Sequence, residues 1–166
     1  MLVPDHPMPE IKKRSKFWPR LRMGLFFFSI AYMLLSFGIT WHLIFGIKRS
    51  FVSHPSRRGI PATDVEFRAE DGKTIRGWLS EIEHRPTVIM AHGNGGYRAE
   101  LAAVYQHVSL KVGLGFLTFD FRAAGQSDGR FSSYGIEESK DLRAAIQFLR
   151  NRGKPWKQIG LVAYDM

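Results

Sequence analysis

The order of apolar and polar positions divides the chain into stretches of different character. From Met23 to Ile47 run 25 residues without Asp, Glu, Lys or Arg. As a helix rising about 1.5 Å per residue, that run covers the roughly 30 Å hydrocarbon core of a bilayer. Residues 53–61 are rich in Ser, Arg, Gly and Pro, the composition of a linker. Beyond them the periods shorten. Residues 64–68 and 74–79 alternate around Asp71-Gly72, a β-hairpin signature. Residues 87–91 form the continuous apolar run of a buried parallel strand. Leu101, Val104, Tyr105 and Val108 recur at helical spacing, and so do Leu142, Ala145, Ile146 and Leu149. Strands are predicted at 115–121 and 159–163, with the second helix starting at about Tyr134. Hairpin, strand, helix, strand, helix, strand predicts an α/β fold, a β-hairpin then βαβαβ, with right-handed crossovers.

Charge sharpens this division. The 166 residues carry a net +9. Residues 1–58 hold ten Lys/Arg against two acids, and residues 59–166 hold fourteen against thirteen. The excess therefore belongs to the N-terminal third, and the folded part shows no basic and aromatic stripe. No nucleic-acid partner is expected. Lys12, Lys13, Arg14, Lys16, Arg20 and Arg22 precede the apolar run, Lys48 and Arg49 follow it, and Trp18 and Trp41 stand near its ends. The pattern predicts a basic tail over 1–22, a transmembrane helix over 23–47 whose partner is the lipid bilayer, a linker over 48–60 and an α/β domain over 61–166. A cleaved signal peptide would have a shorter apolar region and a small-residue cleavage site. The basic excess on the N-terminal side places the N-terminus in the cytoplasm and the domain on the outer side.

Chemistry in such sheets gathers beyond the carboxyl ends of the strands. The chain has no cysteine, which excludes a thiol nucleophile, disulfides and cysteine-ligated zinc. Three loops remain. His92-Gly93-Asn94-Gly95-Gly96 fits neither phosphate-binding glycine fingerprint, and His92 has no second ligand at metal spacing. Neither a metal nor a cofactor is expected. The loop reads as an oxyanion loop or as a plain strand-to-helix turn. Gly125-Gln126-Ser127-Asp128-Gly129 satisfies G-x-S-x-G, but Ser127 falls in mid-loop, well before the predicted helix, so it is not expected to be the nucleophile. Arg122 and Asp128 read as loop-ordering groups. The third loop follows residues 159–163 at Tyr164-Asp165-Met166, where a strand enters a turn.

The succession of hairpin, HGNGG, DFRAAGQSDG and IGLVAYDM resembles the first half of an α/β-hydrolase. It is most similar to membrane-anchored Bem46-type and abhydrolase-domain serine hydrolases, related to the serine aminopeptidases. The resemblance covers about residues 61–166 and implies hydrolysis of ester, amide or lipid acyl bonds. It implies an oxyanion N–H on Asn94, within the substrate-binding stretch His92, Gly93, Asn94 and Gly95, and a second N–H on Met166. It makes Asp120, Arg122, Gly125 and Ser127 structural, and it puts the nucleophile at Asp165. The serine branch carries Ser there; haloalkane dehalogenases and epoxide hydrolases resemble this chain in using Asp. The triad acid and base are not found, since His107 falls inside a helix and His84 before the core strand. The chain is accordingly expected to be an incomplete fragment, inactive alone. The alternative is a non-catalytic single-pass membrane protein that uses the half-fold as an interaction module.

Overall fold

The computed structural model describes residues 17–45 and 53–164. The chain divides into two compact units, Met1–Thr40 and Trp41–Met166. Helix α1 spans Phe17–Ile44 and none of it is buried. It begins six residues ahead of the uncharged run, taking in Arg20 and Arg22. Pro19 is no obstacle there, because the first turn of a helix has no intrahelical partner for the missing N–H. Length and composition would suit a membrane span or a signal sequence alike. Most of the expected basic tail (1–16), the last two residues of the expected span and residues 48–52 of the expected linker lie outside the described residues.

Five strands form one mixed sheet in the order β1-β2-β4-β3-β5: β1 Thr63–Arg68, β2 Thr74–Ser80, β3 Thr87–Ala91, β4 Gly115–Phe119 and β5 Ile159–Ala163. The expected hairpin pairs antiparallel, with Val65 opposite Gly77, and β2 also runs antiparallel to β4. β3 is parallel to both β4 and β5, as the two strand–helix–strand crossovers require.

Period-two alternation sends the strand side chains to two faces. Ile75, Leu79, Ile89, Leu117 and Phe119 meet Ala145 and Leu149 of helix α3, Glu138–Asn151. Trp78, Met90 and Phe116 meet Leu101 and Tyr105 on the opposite face. There the crossover is one helical stretch of changing pitch: a 3₁₀ turn Arg98–Leu101, α2 Ala102–Gln106 and a π-helical turn His107–Val112. Helix α3 starts four residues later than its spacing suggests. Tyr134 and Gly135, at φ +54° and +102°, are left-handed and cannot join a right-handed helix. Pro55 and Ile60 are buried, Ile60 in the Trp78 cluster, so the packed domain begins inside the stretch that composition marks as linker.

Candidate active site

Strand β3 ends at Ala91 and delivers His92 to the carboxyl edge of the sheet. The imidazole is 3% exposed and its ring edge meets Phe121 at 5.2 Å. The Phe121 N–H donates to His92 Nε2 at 3.0 Å, which leaves the proton on Nδ1, 2.8 Å from the Gly93 carbonyl. Burial pulls the His92 pKa below its ordinary value, although the Gly93 bond opposes it. A neutral imidazole thus ties the 92–96 loop to the loop after β4, and both of its nitrogens are committed. The Gly96 N–H closes a turn on the Gly93 carbonyl at 3.1 Å. A Cβ at Gly96 would stand 2.7 Å from Glu100 Oε2 and 3.1 Å from that same carbonyl, so a side chain there would have to displace the Glu100 carboxylate and crowd the turn. Asn94 and Gly95 form its exposed tip.

The second loop is ordered by Asp120, which is fully buried. Its carboxylate accepts the backbone N–H of Arg98 at 2.8 Å and of Gln126 at 2.9 Å, while the Arg98 guanidinium lies 3.1 Å away. Gly125 sits at φ +45°, and a Cβ there would collide with the Asp120 carboxylate. Ser127 is fully buried; its Oγ donates to the Asp120 carbonyl at 2.6 Å and accepts the Arg76 N–H at 2.9 Å. These bonds give Ser127 a stitching role between the loop and β2. Asp128 joins the same seam by accepting the Thr74 N–H at 2.9 Å.

Arg122 faces the other way. Its guanidinium reaches Asp141 at 2.7 Å, Asp71 at 2.8 Å and Glu137 at 3.0 Å. Burial alone would lower the Arg122 pKa, but the bonds to Asp141 and Asp71 outweigh it and hold the guanidinium above its ordinary value. Burial would likewise raise Asp71, and Arg122 holds it below the usual carboxylate range.

Sequence reasoning missed Glu138. Its carboxylate accepts Ser132 Oγ at 2.9 Å, the Ser133 N–H at 2.8 Å, Ser133 Oγ at 2.6 Å and the Gly135 N–H at 2.9 Å. Burial would push Glu138 up, but these donors, Ser133 foremost, hold it below its ordinary value. Ser132 Oγ also lies 3.2 Å from Asn94 Oδ1, so the Glu138 knot touches the tip of the 92–96 loop. Paired serines ahead of paired glutamates at a helix start were the available signal. Together the 92–96 loop, residues 121–124 and the segment from Ser132 to Glu138 enclose a hollow above the sheet.

The third loop meets the first through the sheet itself. Ala91 and Ala163 are register partners, and the Tyr164 N–H donates to the Ala91 carbonyl at 3.1 Å. Asp165 and Met166, the expected nucleophile and second oxyanion donor, lie outside the described residues. Among the described residues no group of three or more His, Asp or Glu could hold a metal ion.

No protein-family model matches the sequence. An esterase from Pyrococcus furiosus, 27% identical, superposes with a TM-score of 0.65 over 74% of this chain and 48% of its own. The α/β hydrolase GrgF from a Penicillium species, 29% identical, gives a TM-score of 0.53 over 62% of this chain and 37% of its own. A thiohydrolase of Eupenicillium brefeldianum is 32% identical over 103 residues, 58% of this chain and 32% of its own length. The chain spans less than half the length of these relatives and of a mycobacterial relative of uncharacterized function. The mixed five-stranded sheet with its covering helices fits part of an α/β-hydrolase fold, and its neighbours include esterases and hydrolases.

Proposed function

We propose that residues 61–166 form the oxyanion-binding half of an acyl hydrolase for ester, amide or lipid bonds, tethered to a bilayer by the apolar helix with the domain on the outer side. One observation carries the reading: the Tyr164–Ala91 bond sets Tyr164, the residue ahead of position 165, beside the start of the 92–96 loop. In this reading the backbone N–H groups of Asn94 and Met166 hold the developing charge on the carbonyl oxygen. His92, Gly93 and Gly95 keep the loop in shape, and the side chain at 165 attacks the carbonyl carbon. The leaving oxygen or nitrogen takes up a proton from a general acid and departs. The acyl group rests on the 165 carboxylate as a mixed anhydride, and water then cleaves it to the free acid, giving its proton to a base.

That second step needs a base. His92 has both nitrogens committed, and His54 is packed edge-on against Trp78 of β2, 5.3 Å between ring centroids, with Nε2 3.9 Å from Asp64 of β1. His84 precedes β3 and so belongs to the opposite end of that strand, while His107 lies in the π-helical turn. The reading assigns the base and its orienting acid to residues other than these, and no metal or cofactor takes part. A second reading, the non-catalytic interaction module, draws on edge strand β5, where Leu161 is 51% exposed, and on Tyr164 just after it, 50% exposed.

The test is release of p-nitrophenolate from p-nitrophenyl butanoate by the full chain, a leaving group that departs as its anion and needs no acid. The hydrolase reading expects a burst of at most one equivalent per chain, lost in Asp165→Ala and kept in Ser127→Ala. No burst, or a burst that survives Asp165→Ala, would overturn it in favour of the module.

A further inference from the structure

We infer that the hollow between the 92–96 loop and residues 121–124 receives an acyl chain without charge and rejects one ending in a carboxylate. The inference deepens the hydrolase reading and rests on it. The walls are Gly93, Gly95, Gly96, Phe121, Ala123 and Ala124, which offer apolar surface. Of the polar side chains that line it, His92, Arg122, Ser132, Tyr134 and Glu138 have their polar groups bonded, and Asn94 brings an uncharged amide at the exposed tip. The five N–H groups of Arg122 match five bonds: Nε to Asp141, and each terminal nitrogen to two carboxylates among Asp71, Glu137 and Asp141. Glu138 accepts four donors, two from side chains and two from the backbone. His92 has neither nitrogen free.

The charge gathered around Arg122 and Glu138, which line the hollow, points the same way. Arg122, Lys140 and Lys73 stand against Asp71, Glu137, Glu138 and Asp141, so the cluster has no positive surplus to attract an anion. A carboxylate entering would lose its hydration and find no unpaired cation in exchange. An aliphatic chain gives up no charge hydration by entering and gains from leaving water.

Two small esters of matched length separate the cases: ethyl butanoate, and monoethyl succinate, which carries a carboxylate where the first has a methyl group. Each is titrated into the full chain while backbone amide resonances are followed. Ethyl butanoate is expected to shift Gly93, Gly95, Ala123 and Ala124 saturably, with a Kd at least tenfold below that of monoethyl succinate. Ala124→Phe, which fills the hollow, is expected to remove those shifts while sheet resonances stay in place. Equal or tighter binding of monoethyl succinate, shifts confined to other residues, or no shift with either ester would each overturn the inference. The hydrolase reading falls separately, by the missing p-nitrophenolate burst, whatever the two esters do.

Discussion

The Tyr164 N–H donates to the Ala91 carbonyl at 3.1 Å, one residue past the last register pair of β3 and β5. Two segments more than seventy positions apart in sequence thereby leave the sheet side by side. One becomes the 92–96 loop, and the other leads to Asp165.

Ser127 tests the structural half of this account. Replacing it with Ala leaves the Arg76 N–H and the Asp120 carbonyl without their partner inside the protein. The expected cost is about 1–3 kcal/mol. Chemical denaturation measures it, and a fluorophosphonate probe should label Ser127 no better than background. Labelling at Ser127 would mean that its Oγ is not held as described.

Gly125 tests the packing of the same loop. Ala there adds a methyl group against the Asp120 carboxylate at a left-handed backbone position. Overpacking and the backbone penalty together should cost about 2–5 kcal/mol, read as a drop in Tm.

Arg122 holds buried carboxylates. Changing it to Met leaves Asp141, which is fully buried, without its cation. Breaking such a pair costs about 3–5 kcal/mol, whereas Arg143→Met at the exposed pair with Glu70 should cost about 1 kcal/mol or less. Equal effects of the two changes on denaturation midpoints would contradict the described network.

His92 sets a pH dependence. Its pKa in the folded chain lies below the ordinary value, so on acidification the unfolded chain takes up the proton first. The contribution is full above about pH 6.5, the unfolded value, and is lost as pH falls from there through the lower folded value. Stability measured by denaturation between pH 7 and 5 should therefore fall more steeply in the parent than in His92→Phe. Parallel curves would show that the imidazole is not held neutral.

Much of this fold was legible in the chain because burial imposes period two on strands and 3.6 on helices. The hairpin around Asp71-Gly72, the Thr87–Ala91 strand and the Leu142–Leu149 stripe all lie where those periods put them. The mid-loop place of Ser127 also followed from spacing alone. Long-range polar pairing leaves no such period. Nothing in sequence announces that Arg122 gathers Asp71 from the hairpin turn and Asp141 from α3, since fifty-one and nineteen positions separate them. The late start of α3 escaped for a similar reason: left-handed Tyr134 and the Glu138 knot are local decisions by side-chain bonds, not by hydrophobic pattern.

The proposed hydrolase reading requires position 165 to come within reach of Asn94. The chain has no cysteine, so paired cysteines report on that distance without background. Asn94→Cys with Asp165→Cys, treated with a short bifunctional thiol reagent, is expected to cross-link within one chain. His84→Cys with Asp165→Cys, the first ahead of β3 and the second after β5 in the chain, is expected not to. A 94–165 pair that stays open, or an 84–165 pair that closes as readily, would contradict the account.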